Sequence, residues 1–178
     1  MAHPDTVLRD EQPGDEAAIY QLTQRAFAPM AFAAGDEQDL INALRAAGAL
    51  SLSLVAVRDD QIVGHIAFSP ASAADDLLGW YALGPVSVDP ALQGQGIGGR
   101  LIEAGLARLT ALQAAGCILT GNPVYYRRFG FVVRPDLAPP GEPAKYFMVR
   151  PLDDPSPNKI VAFHPLFHAG PAEASDQA

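Results

Sequence analysis

The sequence predicts an α/β protein of the mixed α+β kind, with helices packed on a sheet. Three observations predict it. Two helix-like runs with apolar residues at helical spacing lie near the N-terminus. An alternating strand–turn–strand pattern follows over residues 52–68. An apolar, strand-like run over residues 81–88 then leads through a glycine-rich loop into a third helix-like run, residues 100–115.

The elements follow in order. Residues 6–9 suit a short strand. Pro13 suits the first turn of a helix reaching Ala28, with Ala17, Ile19, Leu22 and Phe27 among its apolar positions. Residues 29–35 form a loop made apolar by Met30 and Phe32. A second helix spans residues 36–47, with Asp36 as its cap and Gly48 as its stop. Strands at 52–58 and 62–68 flank a turn at Asp59 and Asp60. Residues 71–79 are a variable loop. Pro85 in the 81–88 strand removes a backbone donor, which fits a strand that has lost a neighbour or carries a bulge. In the third helix Leu101, Gly105, Leu109 and Leu112 form one stripe, so it lies on a sheet. A buried strand at 117–120, a short helix at Tyr125 and Tyr126, and strands at 131–134, 146–150 and 160–167 complete the pattern. The tail 170–178 is small and polar and should fray.

The loop carries the chemistry. Gln93, Gly94, Gln95, Gly96, Ile97, Gly98 and Gly99 precede a helix, so free backbone N–H groups and the helix dipole should favour a phosphate there. Gly94, Gly96 and Gly99 satisfy the G-x-G-x-x-G dinucleotide pattern. That motif should leave its strand directly and be followed by an acid about 20 residues on. Here Asp89 to Gln93 intervene, and the next strand ends in Gly121-Asn122-Pro123 without an acid. A ligand-free turn is disfavoured, because so many glycines weaken a helix start unless the backbone must stay bare.

The stretch from Leu83 to Asp89-Pro90, then Gln93, Gly96, Gly98 and Leu101, resembles the acetyl-CoA signature of the GNAT N-acetyltransferase superfamily. Asn122-Pro123-Val124-Tyr125-Tyr126-Arg127-Arg128-Phe129-Gly130-Phe131 is similar to a motif of a bacterial subgroup of that superfamily. Glu37 with Leu40, Leu44 and Arg45, then Gly64-His65-Ile66 with Ser69-Pro70, agree with it. The resemblance implies a central, mostly antiparallel sheet that splays at the CoA site and is flanked by helices. It spans nearly the whole globular part, taken as one acetyltransferase domain over residues 1–169.

Composition limits the partners. At 178 residues, with 49% hydrophobic and 18% charged residues, the chain can bury a sizeable core. Its net charge of −8 argues against nucleic acid or an anionic membrane as main partner, and fits solubility at least as well as it fits a cationic amine. A single cysteine fits a reducing cytoplasm, no secretory leader is visible, and no apolar stretch suits a membrane span. A homodimer is compatible with all of this.

Acetyl transfer to an amine needs a held cofactor, a polarised thioester carbonyl, a neutral amine and a protonated leaving thiolate. The resemblance implies direct transfer from acetyl-CoA in a ternary complex. It gives Val86, Ser87 and Val88 the pantetheine arm and the carbonyl, and Gln93 to Gly99 the pyrophosphate. Arg100 adds charge for a phosphate, and Asn122 is placed to hold a pantetheine amide. The resemblance makes Tyr126 the acid, a role open to a phenol because it stays protonated near neutrality; Tyr125 is a packing residue. His65 and Glu37 are the candidate bases, directly or through water. A non-catalytic acyl-CoA sensor remains the alternative. Cys117, in a buried strand, is expected to be inert, and Pro165 between His164 and His168 speaks against a metal pair.

Overall fold

The computed structural model describes residues 5–31, 33–73, 79–153 and 160–168. Phe32, most of the expected variable loop and the expected tail lie outside the described residues. In chain order the elements are β1 (Val7–Asp10), α1 (Glu16–Phe27), α2 (Glu37–Ala46), β2 (Leu52–Arg58), β3 (Gln61–Pro70), β4 (Ser72–Ala73) and β5 (Trp80–Val88). Then come α3 (Ile97–Ala111), β6 (Gly116–Thr120), α4 (Pro123–Tyr126), β7 (Val132–Val133), β8 (Phe147–Pro151) and β9 (Val161–Ala162).

Among the described residues, seven strands form one sheet in the order β1-β2-β3-β5-β6-β8-β7. Neighbours are antiparallel except β5 and β6, which are parallel. β4 and β9 make a separate antiparallel ribbon. The β2–β3 hairpin closes through Asp59 (φ 50°) and Asp60 (φ 60°), two successive left-handed residues. This is the turn whose twist matches the strands it joins.

Both faces of the sheet are covered. α1 turns Ile19, Leu22, Thr23 and Ala26 inward, one helical face. Ile19 packs with Ile41 of α2 and Val55 of β2. On the opposite face α3 buries Leu101, Gly105 and Leu109. Gly105 is required there, because a Cβ would overlap the Phe68 ring of β3. Leu112 departs from the expected stripe. The helix ends at Ala111, and Leu112 turns outward at 59% exposure.

The expected cap of α2 also differs. Asp36 makes no side-chain capping bond. Glu37 reaches back instead, accepting from the N–H groups of Ala34 (2.9 Å) and Gly35 (3.1 Å) with its two carboxylate oxygens. These donors belong to the loop before α2, so Glu37 ties that loop to the helix from the end where the dipole favours a carboxylate.

β5 carries the bulge that Pro85 foreshadowed. Its residues Leu83 and Val86 pair with Phe68 and Ile66, three steps against two. An extra residue reverses which side chains face which side. Thus Tyr81 and Leu83 before the bulge, and Val86 and Val88 after it, all join the core under α3. Trp80 and Ala82 face the other way, into a second cluster with Ile118, Phe147 and Phe163.

Candidate active site

β5 and β6 run together only briefly, Trp80, Tyr81 and Ala82 against Gly116, Cys117 and Ile118. Past Ala82, β5 keeps β3 as its partner, and its other edge opens into a gap. The direction of its backbone groups follows from one bond. Asp89 N–H donates to the Val63 carbonyl at 2.9 Å, which makes Gly64 and Val88 a non-hydrogen-bonded pair. Alternate residues then point their N–H and C=O to opposite edges. Those of Ser87 go to His65 in β3, and those of Val86 and Val88 point into the gap. Of the three expected residues, two therefore offer backbone groups to a ligand. The Ser87 side chain is buried on the face away from α3.

The glycine loop closes the gap at the end of β5. Asp89 accepts from Ala91 N–H (3.0 Å) to start a short turn, and the Gln93 amide donates to the Val88 carbonyl (3.2 Å). Gly94 (φ 80°) and Gly96 (φ 84°) take left-handed conformations that other residues resist. α3 starts at Ile97, earlier than expected, so Gly98 and Gly99 lie in its first turn. The first helical bond runs from Arg100 N–H to the Gly96 carbonyl (3.0 Å). The N–H groups of Ile97, Gly98 and Gly99 are therefore left facing outward at the positive end of the helix dipole. Ile97 is buried under Gly64, and the Gln95 side chain accepts from Arg58, which fixes the loop from both sides.

Arg100, expected to add charge for a phosphate, makes a backbone contact. Its guanidinium donates to the Thr6 carbonyl at 3.1 Å, fastening α3 to the N-terminal strand. Arg128 was overlooked in the sequence. Its guanidinium sits 4.8 Å from the centre of the Tyr125 ring. The Tyr125 hydroxyl in turn lies 3.4 Å from where a Gly98 Cβ would stand, so this cation flanks the loop.

α4 continues from β6. Asn122 caps it, its Oδ1 accepting from Val124 N–H at 2.9 Å, with Pro123 in the first turn. That oxygen is thus committed locally. Tyr126 lies against Gly121, where a Cβ would stand 2.6 Å from its ring, and packs edge-on to Phe131. Burial, with a smaller contribution from Tyr125, pushes the Tyr126 hydroxyl up to about 12. It stays protonated at neutral pH, as a proton donor must.

The two expected bases are otherwise engaged. His65 is fully buried on the face away from α3, its Nε2 2.8 Å from Ser53 Oγ and its Nδ1 without a partner among the described residues. Burial, and then the Arg45 charge, lower its pKa to about 3. Desolvation disfavours the imidazolium, which favours the neutral ring in this setting. Glu37 holds the loop before α2 with both of its oxygens. Cys117 is buried, and burial drives its thiol far above the ordinary range, so a thiolate nucleophile is disfavoured. Among the described residues no three His, Cys, Asp or Glu side chains gather as metal ligands. No described helix is long and apolar enough to cross a membrane.

One carboxylate near the gap was also overlooked. Glu142, in the turn before β8, accepts from Thr120 Oγ1 at 2.8 Å, and His168 Nε2 stands 3.9 Å from its other oxygen. Its side chain is 15% exposed. Nothing local in the sequence marks it, because the contact joins residues 22 apart.

The arrangement, a free strand edge leading to helix-start donors beside a buried phenol, suits an extended ligand that ends in phosphates. The model of the GNAT acetyltransferase domain matches residues 50–133. The chain is 36% identical over 126 residues to the uncharacterized N-acetyltransferase YhbS of Escherichia coli strain K12, covering 70% of this chain and 72% of that protein. Its fold matches a GNAT family acetyltransferase from Brucella melitensis in complex with acetyl-CoA, with TM-score 0.82 and 47% identity over 93% of this chain and 99% of that one. It also matches Escherichia coli YhbS in complex with CoA, with TM-score 0.83 and 30% identity over 94% and 96% of the two chains. The chain belongs to the GNAT family of acetyltransferases.

Proposed function

We propose that this protein transfers the acetyl group of acetyl-CoA to a primary amine, on a small molecule or a protein, directly within a ternary complex. The observation that carries this is the parting of β5 from β6 beyond Ala82, beside the bare N–H groups that open α3. The pantetheine arm lies along the free edge of β5 and pairs with Val86 and Val88. The pyrophosphate rests on the loop from Gln93 to Gly99. A backbone N–H of the β5 edge polarises the thioester carbonyl, and stabilisation of developing negative charge is worth most in such a water-poor site. Tyr126 protonates the departing thiolate. His65 stays neutral and structural, and Glu37 positions the loop between α1 and α2. The acetyltransferase unit is residues 1–169, and its setting is the cytoplasm, where a buried unpaired cysteine stays reduced.

Calorimetry with acetyl-CoA, CoA and NAD, followed by turnover against a panel of amines, tests this. Binding of both CoA compounds but not NAD, with N-acetylated product, is expected. NAD binding without CoA binding would overturn it. Acetyl-CoA binding without transfer to any amine would reduce the protein to a sensor.

A further inference from the structure

The end of β6 carries two different groups on its two faces. On one, Tyr126 packs against the Cα of Gly121, beside Leu119 and the core under α3. On the other, by strand alternation, Thr120 shares the face of Ile118, which packs with Phe147 and Phe163. There Thr120 donates to Glu142 at 2.8 Å. The phenol and the carboxylate thus flank the end of the strand that borders the gap, from opposite sides. The turn bearing His168 also touches α2, so this carboxylate lies on the helical face away from α3.

We propose that Glu142 receives the acceptor: its carboxylate binds the ammonium group of a cationic primary amine and takes one of its protons. This rests on the acetyl-transfer function proposed above. Three features support it. Glu142 is held by a neutral hydroxyl and pairs with no arginine or lysine among the described residues; the His168 ring, 3.9 Å away, opposes its charge only when protonated. It is mostly shielded from water, where an ion pair with a ligand is stronger than in bulk. His65 and Glu37, the other candidates, are committed elsewhere.

The step balances. The ammonium gives one proton to Glu142 and the freed lone pair forms the C–N bond. The C–S bond breaks with its electron pair on sulfur. Tyr126 gives the thiolate a proton and regains one from the new amide nitrogen through solvent, while the Glu142 proton leaves to water. Thr120 acts through Glu142 and is a positioning residue.

The test compares the parent protein with Glu142→Gln and Thr120→Val. It measures acetyl-CoA affinity, and kcat and KM with an aliphatic diamine, an amino sugar and a lysyl peptide. Glu142→Gln keeps an acceptor for Thr120 and should fold. Near neutral pH its kcat/KM should fall on the order of 10²-fold or more, with acetyl-CoA affinity unchanged. The deficit should shrink as pH rises and the amine arrives already neutral. Thr120→Val should show a smaller loss with the parent's pH dependence. Unchanged amine acetylation by Glu142→Gln, or a deficit constant with pH, overturns the role of Glu142 and leaves acetyl transfer intact. A parent that binds acetyl-CoA but acetylates no amine overturns the underlying function instead, and this role with it.

Discussion

The Tyr125 hydroxyl lies 3.4 Å from the place a Gly98 side chain would begin, so α4 leans on the first turn of α3 with room there for little more than a methyl group. Val88 of β5 stands 3.5 Å from the same point. Gly98 is thus where β5, the first turn of α3 and α4 meet.

Gly98→Val should separate these three elements. The added carbons would press on Tyr125 and Val88, moving the N–H groups that open α3. Acetyl-CoA affinity should fall at least about tenfold, equal to about 1.4 kcal/mol, in a protein that still folds. Gly96→Asp should weaken binding at least as much, for another reason. Gly96 has open space for a side chain but a left-handed backbone, and the new carboxylate would repel a phosphate. Titration calorimetry of both variants checks this; parent-like affinity in a folded variant would remove the loop from the binding site.

Tyr126→Phe should separate chemistry from binding. The ring still packs against Gly121 and Phe131, so folding and acetyl-CoA affinity should hold. Loss of the proton donor should lower kcat by on the order of 10²–10⁴. Tyr125→Phe should act mainly on affinity, because that hydroxyl faces the start of α3. If Tyr125→Phe abolishes turnover while Tyr126→Phe is active, the two roles are exchanged.

Most of the sheet and its order of elements was legible in the sequence, because strand alternation, paired aspartates at a turn and helical stripes are local signals. The bulge in β5 was legible too, through Pro85. What escaped were contacts between distant segments. Asp36 has the composition of a cap but makes no capping bond, and Glu37 ties down the preceding loop instead. Arg100 stands at a helix start, but Thr6, 94 residues away, claims its guanidinium. His65 alternates correctly onto an apolar face, yet its fate depends on how deeply α1 and α2 cover it. Glu142 lies in a turn rich in Pro and Gly, and only the fold brings it to Thr120.

His65 should mark the acid side of the stability profile. Its folded pKa, about 3, lies below its ordinary value of 6.5, so the unfolded chain binds more protons between the two. Its contribution is fully present above 6.5 and is lost as pH falls toward 3. Melting temperature should therefore drop across that window, and Asp15, whose pKa is lowered by its hydrogen bond from Arg9, adds to the loss only at its acid end. His65→Asn should flatten the slope between about pH 4.5 and 6.5. An identical slope in the variant would show that His65 is charged or exposed in the folded protein.

Cys117→Ala should retain most activity. Its thiol is buried among apolar side chains and far from ionising, so no acyl-enzyme passes through it. Some stability should be lost to the small cavity created. Loss of turnover with normal folding, or an acetylated Cys117 found by mass spectrometry, contradicts this.

The central claim is transfer of acetyl from acetyl-CoA to an amine nitrogen, and one measurement tests it most directly. The protein is incubated with acetyl-CoA and the amine panel, and free CoA thiol and N-acetyl product are quantified together. The account predicts that they appear in equal amounts, and only when a primary amine is present. Thiol release without N-acetyl product, or no release with any amine despite bound acetyl-CoA, would contradict it.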